Sequence, residues 1–260
     1  MALCTTPVRM TALRRVLADS GRMLTFRQPR GMVRDQWLGY FAFGLGVTLL
    51  TGIGRYWNNP RAELWQQLGV GSLLYVATLA VLLRLLLLPF RPRNGSLPEL
   101  LLFLMMTAPP GLLFLVPVEA FLSLRNAQFV NASLLGFVTL WRVALLVWFM
   151  RRVVALSGLA MIVTCLALLV FIAGTLTLLN PEHVAVGLLS GIRTDQQSPN
   201  DMSYSLLTLL SFSSLFVVPY LLVGYAWAWY RYTRSTSIVQ PVRIGADSRT
   251  VHTKTRRQHA

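Results

Sequence analysis

The sequence predicts an all-α, polytopic membrane bundle of about six transmembrane helices with both termini cytoplasmic. Three observations carry that expectation. Of the 260 residues, 55% are hydrophobic and 13% charged, about half the charged share of a soluble domain. The apolar residues gather in six runs, each long enough to cross about 30 Å of hydrocarbon. The basic residues lie between those runs in an alternating pattern, dense on one side and sparse on the other.

Residues 1–36 form a basic cytoplasmic leader. Val8, Leu13, Val16, Leu17 and Leu24 alternate there with Arg9, Arg14, Arg15 and Arg22, which suits an amphipathic helix on an anionic leaflet. A frayed leader is the alternative, and a start at Met10 or Met23 leaves every span intact. The first run, 37–54, follows this leader with no small-residue cleavage site after it, so it reads as a span and not a cleavable signal. The others are 68–90, 97–118, 130–150, 158–179 and 204–230, and 231–260 is expected to be a disordered polybasic tail with too little apolar surface to fold alone.

Six spans put both tails on one face. Seven arginines precede Trp37, Arg91 and Arg93 fill one short loop, Arg151 and Arg152 another, and seven basic residues follow Tyr230. The opposite loops hold only Arg55, Arg61, Arg125 and Arg193. The positive-inside rule therefore places the tails in the cytoplasm. The net charge of +15 is then a membrane-surface feature, with anionic lipid as its partner and no nucleic acid expected. Arginine so far in excess of lysine is the codon habit of a GC-rich genome, which points to a bacterial inner membrane. Cys4 and Cys165 form no paired framework that would report an oxidising compartment.

The third run is unlike the rest. Pro109, Pro110 and Pro117 remove backbone donors and break or kink it. The freed carbonyls then need partners from other helices or water. In the last outer loop, Val184 to Ile192 is too short to cross and reads as an interfacial or re-entrant stretch. Tyr and Trp near many span ends, Tyr225 to Tyr230 among them, read as an interfacial belt.

Ionisable residues inside spans are the first functional candidates, since each costs about 2.5–3.5 kcal/mol at the bilayer centre on insertion scales. Arg142 lies eight residues before Met150, about 12 Å of helix rise, so it should face the bundle interior. Glu99 and Glu119, at the two ends of the broken span, are its acidic candidates. Arg142 reads either as a substrate or ion contact or as a structural arginine tying helices together. Arg84, seven residues from Arg91, should snorkel to the headgroups. A buried arginine beside a broken helix also resembles a transporter's midplane anion site, although no second broken span completes an inverted repeat. Pro219 is an isolated kink in the last span.

Catalytic signals are poor. His183, His252 and His259 build no metal or acid–base constellation, and Glu182, His183, Asp195 and Asp201 match no ligand spacing. Walker A, H-E-x-x-H and G-x-S-x-G motifs are missing. Gly44 and Gly46 fall inside the first span, where small residues permit helix contact. No enzyme activity and no cofactor are expected.

Thr107-Ala-Pro-Pro through Pro117-Val-Glu-Ala-Phe, with Leu140-Trp-Arg-Val-Ala-Leu-Leu, resembles a group of bacterial inner-membrane proteins without assigned function, and Gly54-Arg-Tyr-Trp-Asn-Asn-Pro-Arg is similar to the loop after their first span. The region from Met23 to Arg151 carries this resemblance. By topology the chain also resembles the Yip1 family of membrane-organisation proteins, which generally has five spans. Both resemblances imply membrane location and no reaction. The expectation is a membrane-embedded accessory, scaffold or regulatory subunit, with a membrane-protein partner or a second copy. A small-solute or ion transporter with a pathway near Arg142 is the alternative, and a lipid-modifying enzyme acting through the Glu182 to Asp201 loop is a third class.

Overall fold

Apolar runs in a low-dielectric medium bond their own backbones, so helices are the expected solution. In a computed structural model that describes residues 6–29, 37–56, 64–92, 94–179 and 201–238, every regular element is helical. In chain order these are α1 (Thr6–Leu24), α2 (Trp37–Tyr56), α3 (Leu64–Gln67), α4 (Val70–Leu87), α5 (Leu97–Met106), α6 (Leu124–Arg152), α7 (Gly158–Leu179) and α8 (Asp201–Ile238). Five helices are long and apolar enough to cross a membrane, and six if the bent pair of Leu97–Met106 with the 3-10 segment Pro109–Leu115 is one span. The chain is therefore built as a multi-pass membrane protein.

The largest boundary differences from the sequence reading fall on the fourth span and on the last. The fourth span starts at Leu124 and not at Val130, because Arg125, Asn126 and Gln128 extend the helix beyond the apolar run by which the span was recognised. The last helix begins at Asp201 and continues to Ile238, so the segment expected to be disordered from 231 is helical for its first eight residues. Two stacked pairs hold that extension: the Arg231 guanidinium lies 4.8 Å from the Trp227 ring centre and that of Arg234 lies 4.7 Å from that of Tyr230. The remainder of the tail, the Val184–Ile192 stretch, Glu182, His183 and Asp195 lie outside the described residues.

Side-chain contacts fix the two ends of the bundle. At the arginine-rich end, Asn94 Nδ2 donates to the Val153 carbonyl (3.0 Å), and Phe90 packs edge-on against Tyr225 and Tyr232 (5.5 and 5.9 Å). These join the α4–α5 turn, the α6–α7 turn and the end of α8. The Tyr225 hydroxyl donates to the Leu86 carbonyl (2.7 Å), where Pro89 interrupts the end of α4. At the opposite end, the α2 terminus meets the start of α4 and the end of the broken span. There a Cβ on Gly52 would lie 2.7 Å from Gly69 Cα, and one on Gly54 2.9 Å from Leu115 Cδ2.

The leader helix α1 is docked onto the bundle. Val16, Asp19, Ser20 and Met23 are buried, and Val16 and Met23 join the main apolar core. Tyr40 in α2 donates its hydroxyl to Asp19 at 2.6 Å, so an acidic residue of the basic leader is the tether. Leu13 and Leu17 are exposed on one flank of that face, and Arg14 and Arg15 are exposed beyond them. Phe26, just after α1, reaches Trp141 of α6 with ring centres 5.9 Å apart.

A candidate functional site at the broken span

α5 is the most enclosed helix. It opens on Glu99, whose carboxylate accepts from the backbone N–H groups of Gly95 (2.7 Å) and Ser96 (3.0 Å). This is the carboxylate half of a capping box, satisfying donors that the first helical turn leaves free. From Leu102 through Ala108 every residue is buried, and Phe103 stacks on Phe149 of α6 with ring centres 4.0 Å apart.

The helix then fails for a chemical reason. The Met106 carbonyl looks for a donor at position 110 in an α-helix or 109 in a 3-10 helix, and both are prolines without an N–H. The Thr107 carbonyl meets Pro110 in 3-10 register, while Gly111, its α-helical donor, bonds the Ala108 carbonyl at 2.8 Å. Thr107 folds its own hydroxyl back onto the Leu104 carbonyl (2.8 Å). The chain resumes as the 3-10 segment Pro109–Leu115 at 42° to α5, and Pro117 leads into a second 3-10 turn, Val118–Ala120.

α2 lines this break with small residues. A Cβ on Gly44 would lie 2.8 Å from Met105 Cβ, and one on Gly111 would run into Thr51 Cγ2. Thr51 Oγ1 donates to the Ala108 carbonyl at 3.4 Å. Thr48, which lies between Gly44 and Thr51 in sequence, is 2% exposed, with no hydrogen-bond partner for its hydroxyl. Gly46, grouped with Gly44 on sequence, meets nothing.

The residues singled out on sequence thus separate. Pro109 and Pro110 stand at the bend after α5, and Pro117 stands one segment later, before the turn Val118–Ala120. Glu99 is exposed and engaged at the mouth of α5, about 10 Å of helix rise from Met106. Glu119 lies in the short turn Val118–Ala120. Arg142 is half-buried within α6 and has an interaction of its own. Its neighbour Trp141 contacts Phe26 and Phe137, and its indole N–H is buried without a hydrogen-bond partner. Arg84, near the end of α4, donates to the Gly95 carbonyl (3.1 Å) in the α4–α5 turn.

Thr48, Trp141 and the Asp19–Tyr40 tether were not among the sequence candidates. A lone hydroxyl in an apolar run gives no signal, but an aspartate in a basic leader is visible. Among the described residues no three His, Cys, Asp or Glu side chains gather as a metal site. Comparison of the chain with family models, with curated proteins and with solved structures finds no match.

Proposed function

We propose that this chain is a membrane-embedded accessory or scaffold subunit that docks a partner membrane protein through α8. The observation that carries this reading is a continuous exposed seam. Leu209, Ser213, Phe216, Tyr220, Val223, Trp227 and Tyr230 recur at alternating intervals of four and three residues, and all are exposed. A 3.5-residue period is the seam of a left-handed helix pair. Only 6% of the apolar 18-residue stretch within Thr208–Arg234 is buried, against 28–33% for the same length of the other four unbroken spans.

Lipid alone is a poor cover for the middle of this seam. Tyr220 is 80% exposed and lies near the centre of Thr208–Arg234, where a hydroxyl without a partner costs about 2–7 kcal/mol in an apolar medium. Pro219 inside α8 also strips the Leu215 carbonyl of its helical donor. A facing protein helix can supply hydrogen-bonding groups for both, which hydrocarbon cannot.

The orientation belongs to the same proposal. The arginine-rich end faces the cytoplasm of a bacterial inner membrane, and the exposed Arg14 and Arg15 of α1 lie against anionic lipid. Native mass spectrometry of the chain drawn from its own membrane into nanodiscs tests the reading. A stoichiometric second protein is expected, while the chain alone with lipid, or only copies of itself, contradicts it.

The broken span favours a second reading, transport of a small solute or ion past α5 and Arg142. In that case Arg142→Ala abolishes flux in a protein that still folds and inserts. Equal loss of folding instead makes Arg142 structural.

A further inference from the structure

The oxygens around the break have a chemistry that the docking role does not use. α5 ends at Met106, so the negative end of its dipole points into the break. Two carbonyls there, Met106 and Thr107, have lost their helical donors to Pro109 and Pro110 or to a competing bond. The Thr51 hydroxyl, which donates to Ala108, keeps lone pairs free to accept. The Thr48 hydroxyl is buried and unpartnered. At about 100° per residue, Thr48 stands about 40° around α2 from Gly44, which faces Met105, and about 60° from Thr51, which faces Ala108. It therefore occupies the stretch of α2 beside residues 106–108, on the side toward α4.

We propose that this break binds a monovalent alkali cation, with Na⁺ as its physiological occupant. Hydroxyl and carbonyl oxygens without formal charge suit a hard monovalent ion, and a half-helix C-terminus beside unwound carbonyls is a setting in which membrane proteins hold one. The ion joins α2 to both halves of the broken span. It supplies, as a ligand, the electrostatic partner that the two prolines took away as hydrogen-bond donors.

The test uses the full chain in nanodiscs, unfolded by heat with NaCl titrated against choline chloride at constant ionic strength. NaCl should raise the wild-type Tm saturably by about 5 °C, the size expected when ligand reaches about 100 times its Kd. Thr48→Val removes a ligand with little change in shape and should abolish the rise, while Thr48→Ser should keep it. Pro110→Ala returns an N–H to the Met106 carbonyl and should also abolish it, which gives a second reading if Thr48→Val fails to fold. A wild-type Tm that is equal in the two salts overturns the proposal. So does a rise that survives in either Thr48→Val or Pro110→Ala.

Discussion

The broken span and the last helix are opposites within one bundle. α5 is short, interrupted by two prolines and buried on all sides from Leu102 to Ala108. α8 has 38 residues, about 57 Å of helix, yet within Thr208–Arg234 only Ser211 and Ala228 are buried. The break after α5 leaves carbonyls without helical donors, which the bundle interior shelters. Enclosure there follows from the prolines. α8 stays one helix through Pro219, and its heptad spacing gives its exposed apolar surface a direction.

Substitutions should separate the two regions by size of effect. Phe103→Ala removes a ring from the α5–α6 stack and should cost about 3–5 kcal/mol, read by equilibrium unfolding in detergent. Gly44→Val forces α2 away from Met105 and should cost about 1–3 kcal/mol by overpacking, seen as a lowered unfolding midpoint. Asp19→Ala leaves the Tyr40 hydroxyl buried without its acceptor. It should cost about 1–3 kcal/mol and expose α1 to limited proteolysis, with Asp19→Asn restoring part of the protection. Phe216→Ala, at a side chain 77% exposed, should change the stability of the isolated chain by no more than about 0.5 kcal/mol. A loss at Phe216 as large as that at Phe103 would erase the distinction between enclosed and outward-facing spans.

Much of this fold was legible in the chain. The apolar runs locate the spans, Pro109-Pro110 marks the break, and Arg84 reaches the turn that its distance from Arg91 allows. The boundaries were less legible because an apolar scan stops at the first polar residues. Leu124 to Phe129 remain helical despite Arg125 and Asn126, and Arg231 and Arg234 prolong α8 by stacking on aromatic rings one turn earlier.

Two local patterns in the sequence encode features that apolar runs do not: Ser96 and Glu99 at capping-box spacing, and the four-three spacing from Leu209 to Tyr230. The Asp19–Tyr40 tether joins residues 21 positions apart, and its pairing depends on how α1 packs against α2. Thr48 is one hydroxyl in an apolar run, and its burial depends on what packs against α2, which no local pattern encodes.

The most direct measurement is photo-crosslinking in intact membranes of the native host, with a photoreactive residue placed at Phe216 or, as a control, at Leu85 on α4, also exposed. Phe216 is expected to capture one discrete protein other than the chain itself, and Leu85 only lipid. Lipid alone at both positions would contradict a docking role for α8.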